Sequence, residues 1–300
     1  MINRNAANLL LVISLMLSGA CFAQDYAARY KQLQEQKADA QLEPLLNEWR
    51  AKMPNDPEAW TTSANYYFNQ RQVMLSTKPP EKGDLTLKDA KTGTQAGSIS
   101  FEQQSGSVKR AAELLKEATT KFPERLDIWC GLAFIYQEMG DFNDEMSTLQ
   151  KMVAYARGHP KQLKWLKGEP LDESPDTFVP EKLHGYVVYY EKKNTLEDGK
   201  RFLQIATLAA DQYPNHPYAF NDVASFYSNT SDWKKAREWL EKANKIDPKS
   251  TIVLSNLGAV CAQIGDVASA RKYYEAVVTL EPTGMYTLEA KEALRQLKKQ

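Results

Sequence analysis

The 300-residue sequence has no net formal charge: 38 basic side chains balance 38 acidic ones. A chain built to neutralise nucleic-acid phosphates or to lie on an anionic membrane needs an excess of Lys and Arg, so both classes are set aside. No run of about eighteen apolar residues occurs, so no helix is expected to span a bilayer. Histidine and cysteine are scarce, three of each. His159, His184, His216, Cys21, Cys130 and Cys261 are too scattered for the spacing of a metal cluster, and neither metal nor cofactor is expected. GxSxG, HExxH, P-loop, CxxC and GxGxxG patterns are all missing. No residue is singled out as catalytic, and an enzyme is not expected. What remains is a core-forming composition, 43% hydrophobic with mean hydropathy −0.55, unlike that of a disordered chain.

Residues 1–23 have the layout of an export signal. Arg4 is the positive start, Leu9 to Leu17 (LLLVISLML) the apolar stretch, and Cys21-Phe22-Ala23 the small-residue cleavage site. Cleavage after Ala23 would release a chain beginning at Gln24 in a bacterial periplasm. Gly19-Ala20-Cys21 offers a second reading, in which Cys21 becomes the lipid-modified first residue of an anchored protein, although Ser18 stands where leucine is expected. Export would place Cys130 and Cys261 where disulfides are allowed, but they fall in separate repeats and are expected as free thiols packed like small apolar groups.

The C-terminal half repeats itself. Leu254, Leu257, Gly258, Cys261, Gly265, Ala270, Tyr274, Val277 and Pro282 are matched, 34 residues upstream, by Phe220, Val223, Ala224, Tyr227, Ser231, Ala236, Leu240, Ala243 and Pro248. A third copy runs through Trp129, Leu132, Ala133, Tyr136, Gly140, Leu149 and Met152, departing at Glu145 and Arg157. Spacings of three and four put each half-repeat on one helical face. Gly140-Asp141, Ser231-Asp232 and Gly265-Asp266 read as a helix stop followed by a helix start. Asp56-Pro57 and His216-Pro217 open new helices, with proline where its missing N–H does no harm.

These residues resemble the tetratricopeptide repeat (TPR) family, strongly over 217–284 and well over 126–159. The resemblance implies an all-α fold, a TPR-type solenoid of helical hairpins in a right-handed superhelix. Second helices recur at 42–54 and 108–122 and a first helix at 57–70, whereas 181–214 has no clear register. The organisation expected is an N-terminal block over 24–159, a linker at 160–180, a C-terminal block over 181–284, and a polar-faced capping helix over 285–300.

An insertion at about 71–106 breaks the period. Leu85 and Leu87, then Ile99 and Phe101, alternate with polar residues, and a small β-hairpin is expected there. His159 and His216, each before a proline, read as solvated turn histidines. His184, beside Tyr186, Tyr189 and Tyr190, reads as part of a packed aromatic stripe.

In TPR superhelices the first helices line a concave groove that takes a peptide or a helix. By that resemblance the partner-facing places include Asn65, Phe68, Phe134, Tyr218, Asn221, Ser225, Ser228, Asn229 and Gln263, with Gln137 among their neighbours. The surface is neutral and amide-rich, able to hold a peptide main chain without demanding a charge. The expected function is a non-catalytic protein-interaction scaffold with a protein or peptide partner.

Overall fold

The computed structural model describes residues 25–80, 85–103, 105–193 and 195–298. The expected export signal and Cys21 lie outside the described residues. The described residues divide into two compact units, one of those up to 148 together with 164–169 and one of 149–163 together with those from 170 onward.

In the first unit, helix α1 covers 25–35 and α2 Asp39–Lys52; α3 follows over Pro57–Phe68, α4 over Ser105–Lys121 and α5 over Leu126–Met139. Helix α2 packs on α3, α3 on α4 and α4 on α5. Small residues make the close approaches, with Ala59, Ala64, Ala111 and Ala118 buried among Leu46, Trp49, Leu115 and Leu132. Asp56 starts α3 by accepting from the Glu58 N–H (3.1 Å), ahead of a first-turn Pro57. Two tryptophans repeat one bond. Trp60 Nε1 donates to the Pro54 carbonyl and Trp129 Nε1 to that of Pro123, both at 3.0 Å and both six residues back. At the start of α5, buried Arg125 binds Asp127 (2.8 Å) and reaches Glu58 on α3 (2.9 Å). Lys164 returns to this unit, its carbonyl accepting from the Leu126 N–H at 3.0 Å.

Between α3 and α4 the insertion forms a three-stranded antiparallel sheet, not the hairpin alone that the alternation suggested. β1 (Arg71–Ser76), β2 (Leu85–Lys88) and β3 (Gln95–Gln103) lie in the order β1-β3-β2. Registers of Leu75 with Ile99 and of Leu85 with Ile99 place all three in one cross-strand row. The unforeseen strand, β1, starts almost where α3 ends, leaving no Gly or Pro to mark its beginning. Asp89 closes the β2–β3 loop by accepting from the N–H groups of Lys91 and Thr92.

Helix α6 (Phe142–Gly158) crosses from the first unit's residues into the second's. Near its start Glu145, fully buried, accepts from Gln137 on α5 (3.2 Å). Gln137 is therefore core, not the groove residue the resemblance implied.

The second unit continues with α7 (Pro175–Lys193), α8 (Leu196–Gln212), α9 (Pro217–Asn229), α10 (Trp233–Ile246), α11 (Thr251–Gln263), α12 (Val267–Leu280) and α13 (Met285–Leu297). Helix α7 begins inside the stretch 160–180 expected as a linker, with Pro175 at its first residue and Pro180 one turn further in. Consecutive helices pack pairwise, and α7, α9, α11 and α13 also touch in sequence, which is the contact pattern of stacked hairpins. The turns form as their residues dictate. Gly140, Ser231 and Gly265 adopt positive φ (74°, 60° and 78°). The N–H of the following aspartate then bonds back to Tyr136, Tyr227 or Cys261 at 2.8–2.9 Å. The aspartates also cap, Asp232 accepting from the Lys235 N–H and Asp266 from that of Ser269. Cys261 is buried and Cys130 half-buried, and among the described residues neither forms a disulfide. Among the described residues no helix is long and apolar enough to cross a membrane.

Candidate functional site

Repetition delivers the same position from each first helix to the same face. In the second unit His184, Tyr218, Ile252 and Tyr286 stand 34 residues apart, one each on α7, α9, α11 and α13, and all four line a single cleft of about 630 Å³. Glu181 completes the α7 side, and Asn221 and Asp222 the α9 side. The loop into α11 adds Asp247, Lys249 and Ser250.

The polar groups here are unevenly satisfied. His184 Nδ1 lies 2.9 Å from Asp222 Oδ2, joining α7 to α9, with the imidazole half-exposed and the carboxylate buried. The bond to Asp222 raises the His184 pKa above its ordinary value, while burial raises that of Asp222. His216 is 9% exposed and packs edge-on against Tyr218, so the solvated histidine expected before Pro217 is instead a core-edge group. Its burial pushes its pKa down. The Nδ1 of His216 and the Oγ of Ser250 are buried with no hydrogen-bond partner among the described residues. Both residues directly precede a first helix, yet neither side chain caps it.

Further along α9 a second hollow, about 280 Å³, is lined by Ser225, Ser228, Asn229, Trp233, Asn256 and Gln263. Glu191 of α7 accepts from Ser225 Oγ (2.9 Å) and from Asn229 Nδ2 (3.3 Å), fixing both side chains. In the first unit a cleft of about 470 Å³ lies among Tyr30, Gln34, Asp39, Asn65, Tyr66 and Asn69. Phe68 and Phe134, on successive first helices, meet with ring centroids 5.6 Å apart, and Phe134 is exposed.

The residues singled out from sequence thus fall into separate places. Ser225, Ser228, Asn229 and Gln263 share one hollow; Tyr218 and Asn221 share the large cleft; Asn65 lies in the first unit's cleft; Phe68 and Phe134 pair with each other. Asn221 is buried, and its Oδ1 accepts from Asn256 Nδ2 (2.8 Å), so it offers little to a partner. Sequence reasoning missed Glu191, His184 and Asp222. Counting 34 back from Ser225 and Tyr218 lands on the first two, and that signal would have fixed the register of 181–214. His184 is no member of a packed stripe, because its side chain is half-exposed. Among the described residues no group of three or more His, Cys, Asp or Glu could hold a metal ion.

The tetratricopeptide repeat model matches residues 217–250 and 253–283. Among solved structures, the chain is similar to YrrB, described as a TPR protein with an unusual peptide-binding site. That match has 12% identity and a TM-score of 0.42, and covers 82% of this chain and 97% of that one. The Sgt2 TPR domain from Aspergillus fumigatus matches at 23% identity and TM-score 0.37, over 41% of this chain and 79% of its own. A thermophilic TPR protein from Thermus thermophilus, TTC0263, matches at 17% and 0.38, over 63% and 91%. Comparison with curated proteins returns no match.

Proposed function

We propose that this chain, which carries tetratricopeptide repeats over 217–250 and 253–283, is a non-catalytic scaffold that holds a partner peptide or helix against its first helices. The supporting observation is the row formed by Glu191, Ser225, Asn229 and Gln263. These polar side chains sit on rigid helices, two of them already positioned by Glu191. Amide groups of this kind donate and accept, which suits a peptide main chain. Groups held in place beforehand lose little freedom on binding.

A photo-crosslinking residue at exposed Asn229, with a control at exposed Glu238 on α10, tests the reading in intact cells. A defined protein adduct from Asn229 and none from Glu238 is expected. Equal labelling at both, or none at Asn229, would count against the scaffold.

The working compartment we propose is a bacterial periplasm, on the strength of Arg4, the apolar run Leu9 to Leu17 and the small residues before Gln24. Gly19-Ala20-Cys21 favours one alternative, a lipid-anchored envelope-assembly factor. The mass of the purified N-terminus separates the two: a start at Gln24 supports free export, and an acylated Cys21 the anchor.

A further inference from the structure

We infer that the cleft built by α7, α9, α11 and α13 receives an arginine side chain of the partner polypeptide. This inference rests on the scaffold reading above. Three independent features of the cleft support it.

The first is its charge. Glu181, Asp222 and Asp247 line it against one fixed cation, Lys249, and Asp222 is already engaged by His184. Outside the lining, Glu173 lies beside Glu181, and burial together with that neighbouring negative charge holds the Glu173 pKa above the usual carboxylate range. Crowded carboxylates attract a cation and would repel an acidic side chain.

The second is the surplus of acceptors. His216 and Ser250 are 9% and 7% exposed, and His216 Nδ1 and Ser250 Oγ have no partner among the described residues. Burial lowers the His216 pKa, so at neutral pH its ring is neutral and has a nitrogen able to accept. A guanidinium brings five N–H donors and no acceptor, the complement of carboxylates, a neutral imidazole and a hydroxyl. A lysine ammonium carries only three donors on a compact charge and fits such a spread of acceptors less well.

The third is aromatic. Tyr218 and Tyr286 occupy the same repeat position on either side of Ile252. Tyr218 is 42% exposed and lines the cleft, with His216 meeting its ring edge-on. Guanidinium groups stack on such faces.

The sign of two substitutions tests the idea. The full chain, isotope-labelled, is titrated with N-acetyl-arginine N-methylamide, its citrulline counterpart and its glutamate counterpart, following the amide signals of Tyr218, Ile252 and Tyr286 by NMR. The arginine compound should shift these signals saturably and bind about tenfold more tightly than citrulline, which has the same shape without the charge. Glu181→Gln should weaken it about threefold, and Lys249→Gln should tighten it by a similar factor by removing a competing cation. Both residues are exposed, so neither change should disturb the fold. Equal or better binding by the citrulline or glutamate compound overturns the proposal. So does weakening by Lys249→Gln, or no saturable shift at these three residues. Failure of the scaffold reading shows separately, as silence at Asn229 in the crosslinking experiment while the arginine compound still saturates the cleft.

Discussion

Gly258 of α11 and Tyr274 of α12 share one space: a Cβ added to the glycine would lie 2.7 Å from the tyrosine ring. That ring is buried in the core cluster shared by α11, α12 and α13. Gly258→Ala should therefore lower stability by about 1–3 kcal/mol, and Gly258→Leu by more. Gly185, inside α7 with nothing within 4 Å of an added Cβ, is the contrast. There alanine should stabilise by up to about 1 kcal/mol through helix propensity. Urea unfolding of the two alanine variants measures both signs, and equal effects would contradict the packing argument.

Ser231 holds a φ of 60° at the place where Gly140 and Gly265 stand in other repeats. A side chain in this left-handed conformation costs about 1 kcal/mol. Ser231→Gly should raise the unfolding free energy by up to that amount, partly offset by the greater freedom of glycine in the unfolded chain. Thermal melts compared with Gly265→Ala, expected to move the opposite way, check it.

Arg125 is 3% exposed and neutralises Asp127, itself 8% exposed. Burial works against its charge, yet the bonds and charges of Asp127 and Glu58 together outweigh it and keep its pKa above the ordinary arginine value. Arg125→Met should cost about 3 kcal/mol, chiefly because a buried carboxylate is left without its partner. Replacing Asp127 by leucine in the same variant should recover part of the loss. A double variant no better than the single one would show that the arginine acts through packing alone.

The two cleft histidines pull stability in opposite directions with pH. The bond with Asp222 raises the His184 pKa, with Glu191 and Glu181 adding smaller pulls and burial opposing. Its contribution is then complete below the unfolded value of about 6.5 and fades as pH rises through the folded pKa. For His216, lowered by burial, stability is present above that unfolded value and falls as the solution becomes more acid. Wild type should exceed His184→Gln in melting temperature most at mildly acid pH, the gap narrowing toward alkaline pH. A His216→Asn variant should be less sensitive to acid than wild type. A gap for His184→Gln that widens on the alkaline side would show that another group controls the α7–α9 contact.

Helical hairpins were legible because small residues, αL turns and closing prolines recur at a fixed distance, each tied to a backbone requirement. Gly265-Asp266 and Ser231-Asp232 formed the turns expected of them. Register was harder in α7, where Pro180 lies within the helix and Val187 and Tyr190 take up core places without the usual small residues. Strand β1 escaped notice because nothing punctuates its start. His216 is buried, with its ring meeting Tyr218 edge-on, an outcome that a proline in the next position does not encode. Asn221 looked like a groove residue by position, yet Asn256 on the neighbouring helix claims its carbonyl.

The tryptophan bonds of the first unit have a mechanical consequence. Trp60 and Trp129 each tie an early turn of one helix to the proline carbonyl that ends the preceding hairpin. Bending at those joints must break an indole bond, so they behave as latches. In the second unit Phe220 and Leu254 occupy the matching position and have no side-chain N–H to donate to Pro214 or Pro248. The second unit therefore lacks this indole latch at the joints that enter α9 and α11, the two helices at the centre of the 630 Å³ cleft.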